Sequence, residues 1–124
     1  MKRMKVPVCA RPCVNSKKMK KVLKLMPPAG TILDLAAFFD AFSDPTRARI
    51  LIALRGARLC VCDIAGVVNI SVSAVSHQLR LLRALRLVRY ACKGRMVFYE
   101  LDDRHVRKIL DVGLSHISER TKTS

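Results

Sequence analysis

Asp103, His105, His116 and Glu119 are all competent metal ligands, and their spacing decides what they can build. If residues 102–119 form a helix, His105 and His116 are eleven residues apart. Eleven steps of 100° leave about 20° after whole turns, so the two histidines share a face. The same steps put them about 16 Å apart along the axis. A bound zinc ion needs each ligand atom within about 2.0–2.2 Å, so a single helix cannot bring both ends to one ion. Two copies running antiparallel can: Asp103 and His105 of one helix then meet His116 and Glu119 of the other. The pattern therefore predicts a two-fold homodimer with two equivalent inter-subunit zinc sites. A plain polar face on a solvated helix is the competing reading.

The cysteines point to different chemistry. Cys60-Val61-Cys62 sets two thiols two residues apart. On a regular helix they would point about 200° apart, so they can chelate together only at a frayed or starting turn. Soft thiolates select cadmium, lead and zinc over magnesium or calcium. Two sulfurs seldom complete a site, and Cys9 and Cys13 are the candidates to complete it. Burial of two small side chains is the alternative for Cys60 and Cys62, and adventitious exposure for Cys9 and Cys13. Cys92 falls on an apolar-facing register of a strand and reads as structural. An odd number of cysteines in a chain without the apolar stretch of an export signal argues against a disulfide framework and for a cytoplasmic protein.

Composition names the partner class. The 124 residues hold 24 Lys and Arg against nine Asp and Glu, a formal charge of +15 that favours polyanions, nucleic acid first. No run approaches the roughly 20 apolar residues of a membrane span, and no membrane partner or small-molecule substrate is expected. Residues 1–30 carry nine of the basic residues and no acid. With Pro7, Pro12, Pro27 and Pro28, this stretch reads as a flexible basic arm rather than a packed element. Residues 31–120 form the folded domain, and 121–124 a short tail.

Several elements must position these groups. Leu35, Phe38, Phe39 and Phe42 repeat at helical spacing, predicting a helix from Thr31 to Phe42. Asp44 then caps a second helix with Pro45 at its first position and Ile50, Leu51 and Leu54 as its buried stripe. A short helix over Cys62–Val68 and a turn at Asn69-Ile70 lead to a helix capped by Ser71 or Ser73. Its apolar face is Val72, Val75, Leu79 and Leu82. Strands around Val88–Cys92 and Met96–Leu101 form a hairpin turning at Lys93-Gly94. A last helix from Asp102 buries Val106, Ile109, Leu110, Val112 and Ile117. The fold class is mainly α with a small β-hairpin wing: a winged helix-turn-helix.

The second helix of such a pair enters the major groove, so Ser73, Ser76, His77 and Gln78 are placed for base edges and Arg80 for a phosphate. Lys93 and Arg95 at the hairpin tip add backbone or minor-groove contacts. An amphipathic helix with a merely solvated polar face is the bland alternative.

SDPTRARILIAL, LCVCDIA, ISVSAVSHQLRLLRALRLV and KGRMVFYELDDRHV together make the chain resemble the ArsR/SmtB family of metal-responsive repressors over roughly residues 31–119. The resemblance implies a winged-helix homodimer that binds operator double-stranded DNA without metal and releases it when metal binds. The C-x3-C spacing of Cys9 and Cys13 beside Cys60 and Cys62 is similar to the cadmium- and lead-sensing CadC-like branch. That branch implies a thiolate sensing site with the arm supplied by the other subunit. It also implies a second zinc site at Asp103, His105, His116 and Glu119, regulatory in some members and structural in others. The family usually has Gly where this chain has Arg86, which puts the end of the preceding helix in question.

Rival functions remain within reach of the same residues. An arsenite or antimonite sensor of this fold often carries a third thiol where Ala65 stands. A thiol redox sensor would leave the four helical ligands unexplained. A nonspecific nucleic-acid coat protein would show only steep salt dependence. An enzyme, such as a zinc hydrolase, needs an open coordination position that four protein ligands do not leave.

Overall fold

The computed structural model describes residues 5–123, with the side chains from Arg120 onward left aside. Residues 1–4 of the expected arm and Ser124 of the expected tail lie outside the described residues. The chain divides into two compact units, one ending at Asp34 and the other starting at Leu35.

The first unit holds an element that its composition argued against. Residues Ser16–Leu25 form a helix, α1, whose N-cap Asn15 accepts a hydrogen bond from the Lys18 N–H at 3.0 Å. Helix α1 buries no residue. Helix α2 (Ala29–Asp40) starts directly after Pro27-Pro28, two residues earlier than its apolar spacing predicts, and crosses into the second unit.

The second unit continues with α3 (Pro45–Gly56), α4 (Val61–Val68), α5 (Val72–Ala84), strands β1 (Val88–Lys93) and β2 (Met96–Leu101), and α6 (Arg104–Thr123). Helix α3 begins as its sequence dictates: Asp44 Oδ2 accepts from the Arg47 N–H at 3.0 Å, and Pro45 fills a position that needs no donor. The Arg47 guanidinium turns back to the carbonyls of Ala41 and Asp40 at 3.1 and 3.2 Å, satisfying acceptors that the end of α2 leaves open. The core is apolar throughout: Ile50, Leu51, Leu54, Ile64, Val75, Leu79, Leu82, Leu87 and Val88 are sealed from solvent. Each large side chain buried there contributes roughly 1.5–3 kcal/mol. The core therefore fixes how α3, α4, α5 and the hairpin base face one another.

Three expectations need correcting. Cys92 is exposed, because only the hairpin base is buried and β1 projects beyond the body after Val88. The hairpin turn is Gly94-Arg95, since Lys93 still pairs with Met96 in the ladder. In a single chain α6 buries Val106 and Leu110, whereas Val112 and Ile117 are 68% and 55% exposed. The helix itself runs through Thr123, past the start of the expected tail.

Candidate metal sites and nucleic-acid interface

The DNA-reading unit is built from two helix ends. Helix α4 stops at Asn69, which takes the left-handed conformation at φ 56° while Ile70 N–H reaches back to the Ala65 carbonyl at 3.3 Å. Asparagine tolerates that region better than most residues, so the tight turn needs no glycine. Ser71 then caps α5, its hydroxyl accepting from the Ala74 N–H at 3.0 Å. With Val75, Leu79 and Leu82 buried, α5 presents Ser73, Ser76, His77 and Arg80 to solvent on the expected face. Val72 is half exposed beside them at the helix start. Gln78 departs from expectation: it is half-buried, and its Oε1 is enclosed with no hydrogen-bond partner among the described residues. To reach a base edge that side chain must first swing outward.

The wing is braced rather than loose. Arg83 of α5 lies over the Tyr90 ring of β1 at 4.5 Å, and Tyr90 faces Tyr99 across the ladder at 5.9 Å. Glu100 holds Arg89 at 2.8 Å and Arg58 at 3.3 Å. Gly94 at φ 63° makes the primed two-residue turn that a twisted hairpin requires. Lys93 and Arg95 are left exposed at the tip.

Helix α4 starts one residue earlier than expected, and this places the thiol pair. Cys60 is the N-cap, with extended backbone, and Cys62 lies in the first turn. The pair therefore sits at a starting turn rather than in a helix interior. Cys60 Sγ donates to Asp63 Oδ2 at 3.1 Å, and Cys62 is exposed. The residue before Cys60 supplies a link the sequence did not announce. Leu59 pairs with Tyr99 of the wing in an isolated bridge, through N–H to O contacts of 3.1 and 2.8 Å in the two directions. A backbone pairing of one residue leaves no alternation to read. In the first unit, Cys9 and Cys13 are both exposed. A side-chain hydrogen bond with Cys9, and secondly desolvation, raises the Cys13 thiol above its ordinary range.

At the other candidate site Asp103 sits just ahead of α6 and does structural work. Its Oδ1 accepts from the N–H groups of His105 at 2.8 Å and Val106 at 3.1 Å, while Oδ2 lies 3.5 Å from His105 Nδ1. The backbone hydrogen bond from Val106 holds this carboxyl below the usual carboxylate range, with His105 adding to it and burial opposing. Beyond the mid-helix, His116 and Glu119 line one shallow concavity with Asp111, Val112 and Ser115. Asp111 is also bound by Arg55, which ties α6 to α3. Within this unit, among the described residues, no three His, Cys, Asp or Glu side chains are placed to hold one metal ion. The two halves of the helical ligand set stay apart, as eleven residues of helix require.

Arg86 has the second left-handed conformation, φ 59°. Leu87 N–H reaches the Leu82 carbonyl at 2.9 Å and Arg86 N–H the Arg83 carbonyl at 3.0 Å, the paired bonds that close a helix on a left-handed residue. The geometry that glycine normally serves is kept with arginine in place.

Comparison with known proteins agrees with this architecture. A model of the bacterial regulatory protein arsR family matches residues 44–90, from the α3 cap into the wing. A transcriptional repressor SmtB homolog of Synechocystis is 40% identical over 114 residues, 92% of this chain and 86% of that protein. A cadmium resistance transcriptional regulatory protein CadC homolog of Staphylococcus aureus is 40% identical over 89 residues, 70% of this chain and 73% of that one. The crystal structure of the AntR antimony-specific transcriptional repressor superposes with a TM-score of 0.61 at 29% identity, covering 98% of this chain and 99% of AntR. With the reading helix, the wing and these relatives in agreement, the chain belongs to the ArsR family of bacterial regulatory proteins.

Proposed function

We propose that the protein is a metal-sensing transcriptional repressor acting in the cytoplasm. Its metal-free homodimer holds operator DNA, and cadmium, lead or zinc weakens that hold, derepressing a metal efflux or resistance operon. The observation that carries this reading is the placement of Cys60 and Cys62 at the start of α4, one residue from the Leu59–Tyr99 bridge into the wing. A soft ion drawn to these thiolates pulls on the segment that is hydrogen-bonded to a DNA-contacting element. Cys9 and Cys13 complete the ligand set, with the arm coming from the partner subunit. Ser73, Ser76, His77 and Arg80 read or grip the duplex, Gln78 joins them by rotating outward, and Lys93 and Arg95 hold flanking phosphates.

Asp103 and His105 of one α6 and His116 and Glu119 of its antiparallel partner hold zinc with oxygen and nitrogen donors suited to it. The exposed Val112, one turn before His116 on the same face of α6, gives apolar contact to such a pairing of helices. Coupling of about 1–3 kcal/mol links the metal and DNA sites, and DNA weakens metal binding by the same factor.

Titrating the reduced protein with cadmium while following the ultraviolet thiolate-to-metal charge-transfer band tests the thiolate site. Strong absorption that is lost in both Cys9→Ser and Cys60→Ser is the expected result. Loss in Cys60→Ser alone removes the arm from the site, and no band in the parent protein sinks the thiolate reading. The AntR likeness supports a second reading, an antimonite- or arsenite-responsive repressor. That reading requires an absorption change with antimonite at least as strong as with cadmium, although Ala65 stands where a third thiol is expected.

A further inference from the structure

Helix α1 carries a surface that neither metal site uses. At 100° per residue, Lys17, Lys20, Lys21 and Lys24 fall within one sector of about 100°, while Met19, Val22, Leu23 and Met26 occupy the opposite side. The four lysines line one groove with Leu25, and none of them is buried. Residues 1–30 contain no acid, so no carboxylate of the same segment can neutralise them. Lys17 and Lys21, like Lys20 and Lys24, are four apart, and such like-charge pairs weaken an isolated helix. At 10 residues α1 is also shorter than the roughly 12–15 at which isolated helices become marginal. A helix that repels itself along one face gains most from a polyanion laid against that face.

We propose that the Lys17, Lys20, Lys21 and Lys24 face of α1 is a second nucleic-acid contact, seated on the phosphate backbone of the duplex that flanks the sequence read by α5. The dimensions suit it. Lys17 to Lys24 spans about 10 Å of helix, over which a duplex offers about six phosphate charges. An anionic lipid surface is the weaker fit, because the apolar sector is short and contains none of the Trp or Phe that seat interfacial helices. The contact carries no sequence information; it raises affinity for any duplex and makes it salt-dependent. The inference rests on the folded unit being a DNA binder, and on nothing about the metal.

The test is the salt dependence of full-length protein binding to a random-sequence duplex, measured by fluorescence anisotropy. The variant K17Q/K20Q/K21Q/K24Q is expected to flatten the plot of log K against log salt by about three to four per chain engaged, at roughly 0.9 for each phosphate no longer neutralised. The charge-keeping variant with Arg at the same positions restores the slope, and Lys18→Gln, off the face, changes it by less than about one. Because α1 buries nothing, the variants retain the folded unit, which circular dichroism checks. A slope within about one of the parent overturns the proposal. So does an unchanged slope with loss of binding to phosphatidylcholine vesicles containing phosphatidylserine, which would assign the face to lipid. Binding to random duplex through α1 with no preferred sequence would sink the repressor reading and leave this one standing. Sequence-selective binding with an unchanged slope does the reverse.

Discussion

The two candidate metal sites solve the problem of gathering ligands in opposite ways. At the start of α4 the ligands are two residues apart, and the backbone has only to be non-helical at Cys60 for both thiols to serve one ion. Along α6 the ligands are eleven residues apart on a rigid rod, and only a second rod can close the site. The first arrangement is cheap to assemble and adjoins the wing through Leu59. The second makes metal occupancy inseparable from how two copies pack. In the proposed function, one site would move a segment and the other would report or lock an interface. Asp103 sharpens the contrast, because one of its oxygens already caps α6.

The largest expected effect isolates the α4 route. Leu59→Pro deletes the N–H that reaches the Tyr99 carbonyl at 3.1 Å and leaves Cys60 and Cys62 in place. Cadmium affinity should stay within about threefold, while the metal-driven loss of DNA affinity, expected at roughly 5–150-fold in the parent, should shrink to about threefold or less. Unimpaired release in this variant would show that the Leu59 N–H to Tyr99 carbonyl bond carries no coupling. A smaller effect separates the α6 geometry from any site within one chain. Chains carrying D103A/H105A and chains carrying H116A/E119A should each bind no zinc at α6. Mixed and allowed to exchange subunits, they should regain one site per heterodimer, about half the parental capacity per dimer that carries both variants. Zinc binding by either variant alone would place the site within a single chain.

Much of this was legible beforehand because local chemistry and periodicity agreed. Asp44-Pro45, Ser71 and the Val75–Leu79–Leu82 stripe announce the helix-turn-helix without help from tertiary contacts. The failures have physical causes. Helix α1 was hidden because prolines and unrelieved positive charge argue for a disordered segment, although Met19, Val22, Leu23 and Met26 did stand at helical spacing. Cys92 was misplaced because strand alternation assigns faces but does not say how far a hairpin extends past the core. Val112 and Ile117 look exposed where a buried stripe was expected, since the stripe marks apolar faces without naming the chain that covers them. Gln78 and the Leu59 bridge depend on neighbours remote in sequence, which no local pattern encodes.

The smallest effect concerns the two left-handed helix ends, and it tests whether a departure from the family pattern costs anything. Asn69 and Arg86 have nearly the same φ, 56° and 59°. Asparagine enters that region readily, whereas an ordinary L-residue such as arginine gives up roughly 1–2 kcal/mol there. Glycine in place of Arg86 removes that strain but adds freedom to the unfolded chain, worth about 0.4–1 kcal/mol the other way. Arg86→Gly should therefore stabilise the protein by about 0.5–1 kcal/mol, a rise in melting temperature of roughly 2–6 °C. Asn69→Gly should change stability by less than about half as much, because asparagine pays little there to begin with. Leu82 and Leu87 are fully buried on either side of the Arg86 cap, and the hydrogen bond between their backbones fixes how β1 leaves α5. If Arg86→Gly proves destabilising, the exposed arginine must offset its backbone strain through contacts of its side chain, and the departure from glycine is then compensated rather than tolerated.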